Sequence, residues 1–249
     1  MMQKNIFSQF QEFLKETDGD FHILEQRIPV EMQMEYFTYS DQLRKLALPP
    51  DEALCDRMLP DLQNPDSSLE EKRHALSMLA ISKEVKAYRI LEEYVCSAEP
   101  EIADWASMAL NECRIMLESE FSDGKQIYIS TGLGGRDNKL RFFVLFSSSG
   151  GKPFLDYQKE IIEKEFAFAI PRHGCEIERL TVRERHVEMV FLAPIRLNIK
   201  PVIYGVMDEC NRYGDFLSNS CTVTNVKELS EEEISGILKE NENRHQAGH

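Results

Sequence analysis

The alternation of apolar and polar positions is most informative at residues 139–146, which read KLRFFVLF. Successive side chains of a β-strand point to opposite faces, so Phe142 and Phe143 lie on different sides of this segment. Both sets of side chains are apolar, and a strand of that kind must be covered on both faces. We therefore predict a central strand of a sheet that occupies residues 125–226.

Shorter segments with strand or helix periodicity surround this central strand. We predict strands at 127–130, 175–182, 187–192 and 221–226, and helices at 156–170, from Asn198 or Lys200 to Gly214, and from Ser230 onward. The strand at 127–130 forms a hairpin with the central strand through a glycine-rich turn. The remaining order, βαββαβ, is that of a ferredoxin-like antiparallel sheet. The sequence thus predicts an α+β domain at 124–240 and a disordered polar tail at 241–249.

The helical period also predicts which side chains of two of these helices face the sheet. They are Tyr157, Ile161, Phe168 and Ala169 in the first helix, and Val202, Val206, Cys210 and Tyr213 in the second.

Residues 1–123 have a helical period throughout, apart from an ambiguous stretch near Pro29. The predicted helices are at 2–16, 35–46, 51–62, 69–81, 84–97 and 100–118. Ser68 and Glu71 have the spacing of a capping box, which fixes the start of one helix. We predict an all-helical segment packed beside the C-terminal sheet, and the pattern leaves open whether residues 1–50 join the helical block.

Two of the helices repeat a motif, since Ala75 and Leu79 recur 31 residues later as Ala106 and Leu110. Residues 51–118 therefore resemble a pair of HEAT-like repeats, with small alanines where helices approach closely. The resemblance implies a protein-binding surface. Free-standing arrays need about three repeats or more, so the alternative is a helical layer that covers one face of the sheet.

The net charge is −14 and is unevenly distributed. Residues 1–124 contain 25 Asp or Glu and 12 Lys or Arg, so the acidic excess belongs to the first half. Such a chain is a poor general nucleic-acid binder, because phosphate contacts by basic residues supply most of that affinity. The six cysteines are dispersed, which predicts reduced thiols. The chain lacks the apolar run of a signal peptide or a membrane span, so we predict a cytoplasmic protein.

Two glycine-containing stretches resemble nucleotide-binding loops only in part. Residues 132–138 have Asp137 where a dinucleotide fingerprint has its third glycine, and a strand follows, so a hairpin turn is predicted. Residues 149–152, SGGK, lie between a strand and a helix, but Phe146 and Pro153 depart from the phosphate-loop pattern. This second stretch is either an exposed loop or an anion site formed by backbone N–H groups.

Catalytic and metal motifs are not convincing. His173 and Cys175 lie at the opposite end of a predicted hairpin from His186, too far for one metal ion. The strand containing His186 also resembles the His-x-His strand of single-tyrosine nucleases and transposases, but Glu188 replaces the second histidine, and we reject that carry-over. We predict no cofactor, metal or catalytic residue, and an enzyme of unrecognised type remains a third alternative.

One concentration of arginines remains, in the second predicted hairpin and its flanks, over residues 172–196. It comprises Arg172, Arg179, Arg183, Arg185 and Arg196. Arginine binds phosphate or carboxylate in bidentate fashion, so these residues are candidate ligand or partner contacts. Alternatively, they pair across strands with the acids Glu176, Glu178, Glu184 and Glu188.

Two functions of different classes follow from these features. The first is a non-enzymatic interaction or adaptor module whose acidic helical face or sheet edge binds a protein partner. The second is binding of a nucleic acid or a phosphorylated ligand through the arginine-bearing hairpin at 172–196. Trp105, the only tryptophan, is expected in the core rather than exposed as a binding residue, since large aromatic side chains are usually buried.

Overall fold

The structure is a computed structural model that describes residues 20–46, 53–121 and 126–247. These residues form two compact units, 20–129 and 130–247. The first unit is mainly helical and the second contains an antiparallel sheet with helices, so the predicted α+β class is confirmed. The helix predicted at 2–16 lies outside the described residues. Within the described ranges, no helix combines the length and apolar content needed to cross a lipid bilayer.

The first unit consists of helices and one pair of short strands. Its elements are β1 (Asp20–Ile23), α1 (Val30–Lys45), α2 (Leu54–Gln63), α3 (Leu69–Ile81), α4 (Val85–Ser97), α5 (Pro100–Phe121) and β2 (Gln126–Ile129). The predicted capping box is present at the start of α3. Ser68 Oγ accepts from the Glu71 backbone N–H at 3.2 Å, and Glu71 Oε2 accepts from the Ser68 N–H at 2.8 Å. A local signal of this kind explains why the sequence placed this helix correctly.

The strand β2 does not form the hairpin predicted for residues 127–130. It pairs in parallel with β1, in a register that runs from Asp20 opposite Gln126 to Ile23 opposite Ile129. The helical unit therefore extends to residue 129 and not only to the predicted 123. A short apolar strand fits any sheet, and nothing local to it indicates a partner so distant along the chain.

The core of the first unit lies between α3, α5 and α1. Ala75, Leu79 and Ala106 are fully buried there, at the positions that repeat in the sequence. Trp105 is only 2% exposed, so its predicted place in the core is confirmed. The resemblance to HEAT-like repeats remains a prediction.

The second unit begins after β2. Its elements are β3 (Gly135–Arg136), β4 (Lys139–Ser148), a 3-10 turn (Ser149–Gly151), α6 (Asp156–Ala169), a 3-10 turn (Pro171–His173), β5 (Glu176–Val182), β6 (His186–Pro194), α7 (Ile199–Asn211), β7 (Leu217–Thr224) and α8 (Glu231–Ala247). The central strand predicted from the KLRFFVLF pattern is β4. Phe142 and Phe143 are 4% and 1% exposed, so both faces of β4 are covered.

The sheet of this unit is antiparallel. β4 lies between β6 and β7, and β5 lies outside β6, which gives the order β7-β4-β6-β5. This is the order of a ferredoxin-like βαββαβ sheet, and the predicted topology is confirmed. The hairpin before β4 is formed by β3, which pairs with the first two residues of β4.

Helices cover the sheet on both faces. α6 lies on one face, where the rings of Phe146 and Phe166 are 5.0 Å apart. α8 lies on the other, where Ile234 packs into a cluster with Phe143 and Leu145. The start of α8 carries the predicted Ser230–Glu233 capping box.

The polar C-terminal segment is helical, contrary to the prediction of a disordered tail at 241–249. α8 continues to Ala247. Asn241 Nδ2 donates to Ser147 Oγ on β4 at 3.3 Å, so this residue of the segment has a partner on the sheet. Composition alone does not reveal such partners.

The inward face of α6 differs from the prediction. Ile162, Phe166 and Ile170 are buried at a spacing of four residues, whereas Tyr157 and Phe168 are exposed. The sequence of α6 has apolar residues along two sides of the helix. The packing of α6 against the sheet determines which of the two sides is buried.

The inward face of α7 is largely as predicted. Val202, Val206 and Cys210 are buried, and Asn198 caps the helix by accepting from the Lys200 N–H at 3.2 Å. Tyr213 was expected inside but is exposed, because it follows the last helical residue.

Candidate functional site

The arginines predicted as contacts do not form one cluster. Arg172 lies over the ring of Phe168, with its Cζ 4.8 Å from the ring centroid. Arg196 follows β6 and is engaged in an interaction of its own. These two side chains therefore do not share a site with the turn between β5 and β6.

Two further arginines of this group are paired with acids. Arg179 pairs with Glu228, and Arg183 Nε donates to Glu188 Oε1 at 3.3 Å. Arg183 therefore has one of the expected acids, Glu188, as its partner. The partner of Arg179 comes from outside the hairpin.

Two of the other acids expected as partners bind different arginines, and Glu176 pairs with Arg136. Glu178 accepts two hydrogen bonds from Arg141 on β4, from Nε at 2.5 Å and from Nη2 at 2.9 Å. Arg141 Nη1 also donates to the Leu133 carbonyl at 2.6 Å. Arg141 is buried and the Glu178 side chain is 19% exposed, so this bidentate pair lies partly buried at the edge of the sheet.

Arg185 lines a cavity of about 420 Å³, which we call the polar pocket. The pocket lies between the end of β4, the turn before β6, the start of β7 and α8. It is lined by Ser147, Ser148, Ser149, Gly150, Gly151, Arg185, Asp215, Leu217, Ser218, Asn219, Ser220, Leu238, Asn241 and Glu242. The structure thus brings together Arg185 and the SGGK stretch, which the sequence had indicated separately.

Hydroxyl groups dominate one wall of the polar pocket. Ser147 Oγ accepts from Asn241 Nδ2. Ser148 is 6% exposed, and its Oγ has no hydrogen-bond partner among the described residues. A buried hydroxyl without a partner is unfavourable, so this serine is available for a hydrogen bond that the protein does not supply.

The glycine turn in this wall allows α8 to approach closely. Gly151 has a φ of +67°, and a Cβ built on it would lie 2.4 Å from Glu242 Oε1. The same carboxylate oxygen is 3.8 Å from Arg185 Nη1, which is an ion pair but too long for a hydrogen bond. Arg185 therefore faces an acidic partner without being hydrogen-bonded to it.

The first unit has a second concave surface, a cavity of about 640 Å³ that we call the aromatic groove. It lies between α1 and α3, with Trp105 of α5 at its base. It is lined by Met34, Glu35, Thr38, Tyr39, Gln42, Leu69, Glu70, Arg73 and Trp105. The groove was not predicted from the sequence, because its lining comes from three helices that are separate in the chain.

The base of the groove is held rigidly. Trp105 Nε1 donates to Ser77 Oγ at 3.0 Å, and the Tyr39 ring packs edge-on against the indole at 5.6 Å. The Arg73 guanidinium lies 4.5 Å above the indole and donates from Nη1 to Glu35 Oε1 at 2.8 Å. These contacts hold the indole in place. They also show that the Glu35 carboxylate at the rim is already paired with Arg73.

A buried carboxylate also lies in the first unit, but its contacts are structural. Glu112 on α5 accepts from Tyr36 at 2.6 Å and from Ser40 at 2.7 and 2.8 Å. Arg44 Nη1 lies 3.1 Å from Glu112 Oε1. Three successive turns of α1 thus satisfy one carboxylate, and none of these groups lines the aromatic groove or the polar pocket.

Nucleophile and metal chemistry find little support in the described residues. Burial raises the pKa of the Cys113 and Cys210 thiols from 9.0 to about 12, which disfavours the reactive thiolate. Over the same residues, no group of three or more His, Cys, Asp or Glu side chains could hold a metal ion. His186 lies 3.3 Å from Glu188, which is also bonded to Arg183.

Comparison with known proteins gives little. No family model matches the chain. None of the curated proteins matches it either. Among solved structures, a Deinococcus radiodurans R1 protein described as a "putative transposase" is 18% identical, with a TM-score of 0.36. The match covers 45% of this chain and 95% of that one, and at this TM-score it carries no inference about fold or function.

Proposed function

We propose that this chain is a non-enzymatic protein-interaction module whose helical unit binds a segment of a partner protein in the aromatic groove. The observation that supports this most directly is the combination of an aromatic base with apolar side chains at the rim. Met34 is 65% exposed, and Leu69 is also exposed, on opposite walls of the groove. Exposed apolar side chains that border a concave surface are typical of sites that bind a partner.

The charge of the groove favours a basic partner segment. Glu35 and Glu70 lie at the rim, and Arg73, the only basic residue in the lining, is paired with Glu35. The described residues 20–46 and 53–121 of this unit contain 19 Asp or Glu and 10 Lys or Arg, and this acidic excess adds a negative field around the surface. The occupant that fits is an amphipathic segment with an apolar side chain for the groove and a Lys or Arg for the rim.

The shape of the groove favours a helical or extended segment over a large flat surface. Its long wall is α1, where Met34, Thr38 and Gln42 follow one another at a spacing of four residues. An amphipathic helix uses apolar anchors at the same spacing when it binds a groove. The volume of about 640 Å³ accommodates such anchors.

The test uses Trp105, the single tryptophan of the chain, as a reporter at the base of the groove. A displayed peptide library is selected against the wild-type protein, and selected peptides are titrated while tryptophan emission is followed. Peptides synthesised without tryptophan leave Trp105 as the only source of signal. We expect selected sequences to combine apolar and basic residues and to change the Trp105 emission saturably.

Matched variants decide whether the groove is the site. Met34→Glu and Leu69→Glu are expected to weaken binding at least about tenfold, since a charge would replace an apolar contact. Val85→Glu is the control, because Val85 is an apolar residue of the same unit, 57% exposed, outside the groove. Loss of binding in Val85→Glu to the same extent, or selection of acidic peptides only, would contradict the proposal.

A further inference from the structure

We infer that the polar pocket of the second unit is a binding site for a small phosphorylated polyol, such as a sugar phosphate or a nucleoside monophosphate. This site is independent of the aromatic groove, because its lining belongs entirely to residues 147–242 of the other unit. The inference rests on three features of the described residues: an arginine that makes no hydrogen bond to them, a buried serine hydroxyl that has no partner among them, and a wall of hydroxyl and amide groups.

Arg185 supplies the positive charge. Among the described residues, its guanidinium makes only the 3.8 Å ion pair with Glu242, whereas Arg183 in the same turn is hydrogen-bonded to Glu188. An arginine has five N–H donors arranged to bind a phosphate in bidentate fashion. In Arg185 these donors remain available at the pocket.

The serines at the end of β4 supply further donors beside the arginine. Ser148 Oγ is buried without a partner in the described part of the chain, and Ser147 and Ser149 line the same wall. Buried polar groups are nearly always satisfied, so a buried hydroxyl that lines a cavity and lacks a protein partner points to a bound group. A phosphate has enough acceptor oxygens to bind several hydroxyls and a guanidinium together.

The opposite part of the pocket fits the body of the ligand. Asp215 and Asn219, with Ser218 and Ser220, line it at the start of β7. A carboxylate accepts hydrogen bonds from hydroxyl groups and would repel a second phosphate, which favours a hydroxyl-bearing body with a single phosphate. The cavity of about 420 Å³ lies within the range of small-ligand sites.

Glu242 occupies the position of a competing anion. Its carboxylate lies against Gly151 and 3.8 Å from Arg185, beside the donors assigned to the phosphate. A ligand phosphate must therefore displace this carboxylate or share the arginine with it. Neutralising Glu242 should strengthen binding, an effect opposite to that of most substitutions in a binding site.

The experiment measures binding calorimetrically for glucose 6-phosphate and adenosine monophosphate, with glucose, adenosine and inorganic phosphate as comparisons. We expect at least one phosphate monoester to bind the wild-type chain at least about tenfold more tightly than its unphosphorylated parent, the effect of a charge-assisted hydrogen bond. Saturable binding of neither ester, to wild type or to Glu242→Gln, would overturn the inference. Equal binding of ester and parent would also overturn it.

Variants assign the binding to the pocket. Arg185→Gln is expected to weaken binding about tenfold or more, and Glu242→Gln to strengthen it several-fold. Arg183→Gln is the matched control, since it removes the same charge from the same turn, and it should change binding less than about twofold at physiological salt. An equal loss in both arginine variants would indicate non-specific charge attraction and would overturn the assignment.

Ser148→Ala separates a ligand contact from a structural role. Its Oγ makes no hydrogen bond to the described residues, so removing it should leave the melting temperature of the ligand-free chain unchanged or slightly higher. The same variant should bind the phosphate monoester about fivefold more weakly, the effect of one lost hydrogen bond. A lower melting temperature with unchanged binding would show that this hydroxyl is structural and would contradict its role as a ligand contact.

Discussion

Tyr36 on α1 donates a hydrogen bond of 2.6 Å to Glu112 on α5, and both residues are buried. Burial, followed by the charge of Glu112, raises the pKa of Tyr36 well above 10.0, so the phenol remains a donor at physiological pH. The contact joins two helices that are far apart in the sequence. It therefore contributes to the tertiary structure of the first unit rather than to any local element.

Replacing Tyr36 with Phe should destabilise the first unit. The variant keeps the ring but leaves the buried carboxylate with one donor fewer, at a cost of about 1–3 kcal/mol. Urea unfolding followed by Trp105 fluorescence measures the change, since Trp105 packs against Tyr36. Tyr88→Phe is the control: Tyr88 packs against the same core, its hydroxyl makes no hydrogen bond to the residues that the structure describes, and the change should cost less than about 0.5 kcal/mol.

Stability should fall as the solution becomes alkaline. Burial raises the pKa of Cys113 from 9.0 to about 12, so above pH 9 the unfolded chain loses a proton that the folded chain keeps. The stabilisation is complete below pH 9 and is lost as the pH rises toward 12, with a slope of at most about 1.4 kcal/mol per pH unit for each such group.

The slope is measured by urea unfolding at several pH values above and below 9. Cys113→Ala should make it shallower, whatever that variant does to stability at neutral pH. Cys96→Ala is the matched control, because Cys96 is exposed and its removal takes away no buried thiol. A slope that is equal in all three proteins would show that the Cys113 thiol does not contribute.

Gly132→Ala should severely destabilise the second unit. A Cβ at this position would lie 1.8 Å from the Val226 carbonyl oxygen, which is a backbone atom and cannot rotate away as a flexible side chain could. We expect a loss of at least about 3 kcal/mol, measured by thermal and chemical unfolding.

The opposite sign is expected at Gly205, which lies within α7 with open space around its Cβ position. Gly205→Ala should stabilise the chain by about 0.5–1 kcal/mol, because alanine loses less backbone entropy in a helix. If both substitutions changed the free energy of unfolding equally, close packing at Gly132 would not be the reason that this position needs glycine.

Arg141→Ala should cost far more than Arg136→Ala, although both residues lie near Glu178. Removing Arg141 leaves a mostly buried carboxylate without its bidentate partner, at about 3–5 kcal/mol. The Arg136 side chain is exposed, and loss of its ion pair with Glu176 should cost much less, because solvent screens an exposed pair. Chemical unfolding of the two variants in parallel gives the comparison, and similar losses would contradict it.

The sequence predicts well those elements that carry their own signals. The helix α3 was placed correctly because Ser68 and Glu71 mark its start. β4 was identified as central because apolar residues on both of its faces require cover on both sides. These signals are local, so no knowledge of the tertiary structure is needed to interpret them.

The errors occur where long-range contacts decide the outcome. β2 pairs with β1, a strand that is far away in the sequence. The side of α6 that turns toward the sheet carries Phe166 and not Phe168. Asn241 of α8 donates to Ser147 of β4, a contact between distant parts of the chain that composition does not reveal.

The candidate sites show the same difference between local sequence signals and long-range contacts. Arg185 and the SGGK stretch were both noted in the sequence, yet only the fold places them around one pocket. The aromatic groove is built from α1, α3 and α5, and no single segment of the sequence indicates it.

The parallel pairing of β1 with β2 has a mechanical consequence. The chain enters the first unit at Asp20, at the beginning of one strand, and leaves it at Ile129, at the end of the other. A force that pulls these two points apart loads the two strands in shear, so the hydrogen bonds along the four paired positions must break together and not one after another. These strands therefore act as a clamp that resists stretching of the helical unit from its ends.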